Sequence, residues 1–397
     1  MKHPGTPNER GGSDHSFDWN SPTRVIFGPG SIEQLGMLVR EIGSKRPVII
    51  TDRGIRAAGH VDRAAESLSQ AGLNPIIFDG VEENPTTRHV ANGLEVAQRE
   101  SIDLFIGLGG GSSMDTAKGI NFLLTNGGVM ADYWGLNKAT QPMLPLIAVP
   151  TTAGTGSEAQ SFALIADEKT HQKMACGDQK AAARIAILDP QITLSQPARV
   201  TAVSGIDAVS HAVESFVTTV RNPISAMFAL QAWKLLADGF PRVLRNPADI
   251  EARGFMSLGA NFAGSAIEAS MLGATHATAN PLSAHFDVTH GVAIGILLPH
   301  VIRWNAPAVG PLYAELWTAS GQRPLPPEES AAALANQIRS WTREAGLPIT
   351  LKEAGISPDS IPQLAKEATT QWTGKYNPKP VSTADFENLY RQAYNDS

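Results

Sequence analysis

The sequence predicts an α/β N-terminal half built on a parallel sheet, followed by an all-α C-terminal half. Three observations carry that expectation. Up to about residue 195, short β-rich runs alternate with stretches of 3.6-residue periodicity, the pattern of a parallel sheet covered by helices on both faces. Beyond that point long helical patterns follow one another, and strand signals are almost absent. The chain's 397 residues, 42% of them hydrophobic, also exceed what one core normally holds.

Residues 1–20 (MKHPGTPNERGGSDHSFDWN) are polar and lack an apolar core, so they read as a disordered lead-in and not as a secretory signal. Glu9 and Asp14 fit a transit peptide poorly. The strand runs are 24–27, 47–51, 75–78, 102–107 and 144–149, with helical patterns at 31–42, 56–71, 88–99 and 114–124 between them. In the second half the 3.6-residue period covers 200–220, 225–244, 252–269, 328–345 and 383–394. These runs give a domain over 21–195 and a second over 196–397.

Composition narrows the function. A net charge of -6 argues against nucleic acid or an acidic membrane as partner. A single cysteine, Cys176, excludes an internal disulfide and fits a reducing compartment. No apolar run reaches about 18 residues, the length needed to span a bilayer. A cytoplasmic protein acting on a small molecule is the expectation.

Three strand ends carry chemistry in the first half. SIDLFIGLGGGSSMDTAKG runs from an apolar strand into Gly107, Gly109, Gly110, Gly111 and Ser112, then into a helix. Glycines without Cβ atoms let backbone N–H groups approach an anion closely, and the helix N-terminus adds its positive end. A tight strand-to-helix turn explains the same residues without a ligand. The pattern is neither a phosphate loop of the GxxxxGK[ST] type nor the GxGxxG dinucleotide fingerprint, because Ser112 stands at the third glycine. Asp52, just past the IIT strand, is placed either to accept from a ribose 2′-OH or to cap the next helix. A third loop, AVPTTAGTGSE, offers the hydroxyls of Thr151, Thr152, Thr155 and Ser157 around Gly154 and Gly156, which suits a phosphate or ribose as well as a plain turn.

The second half carries the histidines. Four of the chain's ten, His276, His285, His290 and His300, fall in MLGATHATANPLSAHFDVTHGVAIGILLPH, which reads as a helix, a loop at 286–289, and a second helix opening near Gly291. Upstream, GIDAVSHAVESF places Asp207 and His211 four apart, on one helix face. Such a pair is commonly a solvated or internally satisfied contact. The apolar flanks Ala208, Val209, Ala212, Val213 and Phe216 bury this one, and a buried carboxylate needs a partner. Two imidazoles from downstream would close a four-coordinate site suited to Zn²⁺ or Fe²⁺.

With these residues in view, the chain resembles the iron-containing (group III) alcohol dehydrogenase family. The resemblance runs from RVIFGPGSIEQLG through GGGSSMDTAKG, PTTAGTGSE, GIDAVSHAVE and the histidine stretch to NPKPVS at 377–382. It implies a dinucleotide-binding α/β domain followed by an all-α metal-binding domain. It also implies NAD and a divalent metal (Fe²⁺ or Zn²⁺) as cofactors, the metal held by Asp207, His211, His276 and His290. The cofactor pyrophosphate would lie on Gly109, Gly110, Gly111, Ser112 and Ser113. Further cofactor contacts would come from Asp52, Asn84 (within FDGVEENPT), Thr151, Thr152 and Lys173. A homodimer is the family expectation, with a small alcohol or aldehyde as substrate.

The departures are specific. Family members carry HxxxHP, whose second histidine is thought to relay the proton; here the text is HATANP and the position is Asn280. An amide hydrogen-bonds but takes up no proton near pH 7. His285 is the nearest histidine that would take over the relay, so Asn280 and His285 are the catalytic candidates. In AGSAIEAS, Ile267 and Ala269 replace an aromatic and an amide that, by the resemblance, face the substrate. The expected reaction is hydride transfer between nicotinamide and an alcohol or aldehyde whose oxygen the metal polarises. A dehydroquinate-synthase-like lyase on the same scaffold and a non-catalytic NAD-binding homologue are the alternatives. The first would need a Lys/Arg cluster near 260–290, which is missing; against the second, all four metal-ligand positions are kept.

Overall fold

The computed structural model describes residues 17–170, 172–286 and 288–395. Residues 1–16 of the expected lead-in therefore lie outside the described residues. The strands are β1 (Arg24–Phe27), β2 (Pro47–Ile50), β3 (Ile76–Phe78), β4 (Leu104–Gly109), β5 (Gly135–Leu136), β6 (Leu146–Pro150), β7 (Phe162–Ala166), β8 (Lys173–Gly177) and β9 (Ile185–Leu188). The helices interleaved with them are α1 (Leu35–Ile42), α2 (Arg53–Ala57), α3 (His60–Gln70), α4 (Thr87–Arg99) and α5 (Gly111–Asn126).

Six strands form one parallel sheet in the order β1-β9-β6-β4-β2-β3. Its inner strands β2, β4, β6 and β9 are apolar and buried throughout because both faces are covered. Val48, Ile50, Phe105, Leu146 and Ala148 point to one side, into a core with Val90 and Ala97 of α4 and Met114, Ala117 and Ile120 of α5. Ile49, Leu104, Ile106, Leu108, Ile147 and Val149 point to the other, against Leu35, Leu38 and Val39 of α1 and Val61, Ala64 and Leu68 of α3. Each buried Leu or Ile contributes about 1.5–3 kcal/mol. From β2 the chain moves out to the edge strand β3, then returns to lay β4 on the other side of β2. The carboxyl ends of β2 and β4 therefore flank the switch point where open α/β sheets bind ligands.

The second sheet, β5-β8-β7, was not expected from the sequence, and neither was β9. In β7 (FALIA) only Ala163 and Ile165 are buried, but the outward positions Phe162, Leu164 and Ala166 are apolar too, so no polar alternation marks the strand. β9 (IAIL) is four fully buried residues, too short for its period to show.

The remaining helices are α6 (Ala198–Val217), α7 (Pro223–Arg245), α8 (Ile250–Glu268), α9 (Ala274–Phe286), α10 (His290–Ala319), α11 (Pro327–Glu344), α12 (Ile361–Thr370) and α13 (Thr383–Asn395). α10 packs on α6, α9 and α11. Its length and mean hydropathy of 1.3 would allow it to cross a bilayer, but 67% of that window is buried inside the protein, as in the core helix of a globular domain. It bends at Val309 (φ -133°, ψ 23°), between Pro307 and Pro311.

By contacts the chain divides into two units: residues 21–197 with 247–261, and residues 17–20, 198–246 and 262–395. The single boundary expected near 195 is thus corrected at 247–261, which groups with the sheet. Physical ties explain it. Buried Arg253 donates from Nε to the Pro247 carbonyl (2.9 Å) and from its guanidinium to Gln196 Oε1 (3.0 Å), and Asn261 donates to buried Glu158 (3.2 Å).

Candidate metal centre and dinucleotide turn

The helical unit brings the expected acidic and imidazole groups together. Asp207 and His211 stand one turn apart on the same face of α6, and both are buried. His276 lies in the first turn of α9, and His290 opens α10. α6 and α10 can run this close because residue 291 is glycine: a Cβ there would sit 2.0 Å from the Val203 carbonyl oxygen. Any side chain at 291 would push His290 away from Asp207.

Asp207, His276 and His290 form the group whose ligand atoms all lie near one another, and His211 adds a close approach to Asp207. Asp207 Oδ1 lies 3.4 Å from His211 Nε2, 3.6 Å from His276 Nε2 and 3.7 Å from His290 Nε2. A tetrahedron with metal–ligand bonds of about 2.1 Å has edges of ~3.4 Å. One ligand atom each from Asp207, His276 and His290 lie within 4.8 Å of one another. The His211 ring stacks on His276 with centroids 5.0 Å apart. Asp207 Oδ1 and His276 Nε2 are buried and make no hydrogen bond, which is the condition a metal relieves. His290, with its side chain 32% exposed against 6% for His211 and His276, is the imidazole of the group nearest solvent.

Electrostatics agree. Burial alone would raise the Asp207 carboxyl, but the imidazoles of His211, His276 and His290 outweigh it and hold the group well below the usual carboxylate range. Burial would likewise lower His276, yet the flanking Asp207 and Glu214 carboxylates push it up to about 9.

In the sheet unit, Gly109 and Gly111 in the turn from β4 to α5 sit where a Cβ would crowd neighbouring side chains. A Cβ on Gly109 (φ 152°) would lie 2.3 Å from Ser113 Oγ, and one on Gly111 would lie 2.8 Å from Thr155 Cγ2. The Thr151 N–H donates to the Gly109 carbonyl (2.9 Å), joining the end of β6 to this turn. Ser113 Oγ and Thr151 Oγ1 are buried hydroxyls without hydrogen-bond partners, at the N-terminus of a 16-residue helix. That is an anion cradle with unused donors. Asp52 takes up the capping role. Its Oδ1 caps α2 by accepting from Ile55 N (2.9 Å), while Oδ2 lies 3.7 Å from where a Cβ on Gly109 would be.

Other expected residues sit less directly. Ser112 follows in the first turn of α5, and Thr152 stands beside Gly110. Asn84 occupies a left-handed turn (φ 53°) ahead of α4, and its side chain is exposed. Lys173 opens β8, also exposed, and its charge reaches the buried Asp115 carboxyl. Ile267 is buried in α8, and the Ala269 carbonyl accepts from Asn222 Nδ2 (2.6 Å).

The expectation for His285 needs correction. It lies nine residues beyond His276 on the same helix, about 2.5 turns, and so on the opposite side. Its Nε2 is 2.5 Å from Glu367 Oε2 of α12, an exposed hydrogen-bond contact outside the group around Asp207. Asn280, one turn from His276, does share its face, and its Nδ2 donates to Gln371 Oε1 (3.0 Å).

Three participants escaped the sequence reading. Glu214 accepts from His276 Nδ1 (2.5 Å) and from Thr275 N (2.7 Å). The signal was present: 207, 211 and 214 form an i, i+4, i+7 polar stripe on an apolar helix. Lys118, fully buried, donates to the Ser157, Gln160 and Phe162 carbonyls and clamps the loop after β6. Gln371 lies 91 residues from its partner, and no local pattern announces it.

A glycine turn at the switch point of a parallel sheet, together with a His/Asp cluster in a helical unit, defines a class: a metal-type, dinucleotide-type oxidoreductase. Residues 22–190 match the family described as iron-containing alcohol dehydrogenase, and residues 201–394 match the C-terminal part of the same family. The NAD-dependent methanol dehydrogenase of Bacillus methanolicus is 32% identical over 374 residues, covering 94% of this chain and 98% of that protein. The 1,3-propanediol dehydrogenase of Citrobacter freundii is 33% identical over 382 residues, covering 95% and 99%. Among solved structures, a 1,3-propanediol oxidoreductase superimposes with a TM-score of 0.93 at 32% identity, covering 96% of this chain and all of that one. The chain belongs to the iron-containing alcohol dehydrogenase family.

The raised His276 makes a prediction about the metal-free protein. A folded value of about 9 against an ordinary 6.5 adds stability that is complete below pH 6.5 and is lost as pH rises through 9. The melting temperature of chelator-treated protein should fall between pH 6.5 and 9, and the fall should shrink in His276→Ala. Parallel pH profiles for the two proteins would contradict this origin.

Proposed function

We propose that this protein is a metal-dependent, NAD(H)-linked alcohol dehydrogenase or aldehyde reductase, with Asp207, His211, His276 and His290 as the metal ligands. The observation that carries the reading is the set of distances from Asp207 Oδ1 to three imidazole nitrogens, 3.4, 3.6 and 3.7 Å, all close to a tetrahedral edge. The names of relatives support it, since they include an NAD-dependent methanol dehydrogenase and a lactaldehyde reductase. Neither the lyase nor the non-catalytic alternative gains support from them. Three imidazoles and a carboxylate accept Fe²⁺ and Zn²⁺ alike.

When bound, the ion supplies Lewis acidity toward an alcohol or aldehyde oxygen, and the nicotinamide supplies hydride exchange. The chain's residues do the rest. Gly109, Gly110, Gly111, Ser112 and Ser113 hold the pyrophosphate, with the free hydroxyls of Ser113 and Thr151 as donors. Thr152, Asn84 and Lys173 complete the cofactor contacts. Asp52 Oδ2 accepts from the ribose and repels a 2′-phosphate. Asn280 keeps its Oδ1 for a substrate hydroxyl, because its Nδ2 is committed to Gln371; it orients and does not relay. With His285 turned away, the proton is assigned to solvent.

The protein is further proposed to work in the cytoplasm as a homodimer. A single buried cysteine supports the first. The edge strand β1, with Val25 and Phe27 exposed, supports the second.

Two measurements test this function. His276→Ala should lose its metal by elemental analysis and lose turnover while keeping its circular dichroism spectrum; stoichiometric metal in that variant removes His276 from the site. The wild-type enzyme should prefer NADH, and Asp52→Gly should move kcat/KM toward NADPH. Equal kinetics with both cofactors in the wild type would exclude Asp52 as the selector.

A further inference from the structure

We propose that Glu214 is the positioning residue of the metal centre: it fixes both the ring orientation and the tautomer of His276. The inference rests on the metal reading above and adds a residue that reading does not use.

α9 begins immediately after a glycine, and its first N–H groups find acceptors from elsewhere in the fold. Ala274 N donates to Asn377 Oδ1 (3.2 Å), and Thr275 N donates to Glu214 Oε1 (2.7 Å). Gly273 makes room for both acceptors, since a Cβ there would lie 3.1 Å from each of these oxygens. Asn377 is itself held by a reciprocal amide pair with Asn305 of α10 (2.8 and 3.0 Å). Glu214 and Asn377 therefore share the task of starting the helix that carries His276.

Only Glu214 does more. Its second oxygen, Oε2, sits 2.5 Å from His276 Nδ1. A carboxylate accepts, so Nδ1 keeps its proton and Nε2 is the nitrogen left to give its lone pair to a metal. That Nε2 is the buried nitrogen without a hydrogen-bond partner, 3.6 Å from Asp207 Oδ1. A carboxylate behind a ligand imidazole orients the ring and makes it a stronger donor. Glu214 is 4% exposed, and a buried carboxylate is tolerated here because it receives two donors and faces a helix N-terminus. A glutamine cannot repeat this: its amide has one accepting oxygen, so one donor is left facing an NH₂ group.

The test uses the full-length chain, stripped by chelator and titrated with Zn²⁺ or Fe²⁺ against a competing chelator. Glu214→Gln should weaken metal binding by about 10- to 100-fold, and the rise in melting temperature on adding metal should shrink accordingly. Asn377→Ala, which removes the other helix-starting acceptor, should lower the metal-free melting temperature yet leave metal affinity within about twofold. Glu214→Asp keeps the charge but shortens the reach; it should also lose affinity and covers the case of a Gln variant that does not fold. Wild-type affinity in Glu214→Gln overturns the inference and leaves the metal reading intact. Equal losses in Glu214→Gln and Asn377→Ala overturn it too, since loosening of the helix start would then be the whole effect. A wild-type chain with no tight divalent site overturns the metal reading, and this inference with it.

Discussion

The buried carboxylate of Asp207 is the constraint on which the helical unit depends. An ionised oxygen in an apolar helix is costly unless positive charge or good donors surround it. Three imidazoles converge on this one, from α6 itself, from the first turn of α9 and from the first residue of α10. Each approach depends on packing elsewhere. Gly291 lets α10 cross α6 at backbone contact, and Gly273 admits the acceptors that start α9. At the far side of α9, buried Tyr390 of α13 donates to the Thr278 carbonyl (2.6 Å).

The sheet unit solves a different problem with the same economy of atoms. An anion must approach backbone N–H groups closely, so the turn after β4 carries no Cβ where Ser113 and Thr155 crowd it. The neighbouring loop after β6 is held by Lys118, whose ammonium donates to the Ser157, Gln160 and Phe162 carbonyls. On the proposed reading, a rigid cradle with unused hydroxyls would bind a phosphate without first ordering itself.

Much of this was legible in the sequence. Short β-rich runs marked β1 to β4 and β6, the glycines marked the turn, and the Asp207/His211 spacing marked the α6 face. Other features were unreadable for physical reasons. β7 hides its period because both of its faces are apolar. The 247–261 segment looks helical, and only tertiary partners reveal that it groups with the sheet. His285 looked available because sequence distance says nothing about helical phase until the helix is known to continue; 2.5 turns then place it on the far side. Gln371 and Glu367 reach α9 from α12 and the turn after it, and no spacing rule connects segments so far apart.

The central claim is that Asp207, His211, His276 and His290 enclose one divalent ion. Anomalous diffraction from crystals of the metal-loaded protein, collected on both sides of the metal's absorption edge, tests it most directly. The account predicts a single peak within bonding distance, about 2.0–2.2 Å, of Asp207 Oδ1 and the three Nε2 atoms. A peak away from these four groups, or one that omits His276, would contradict it.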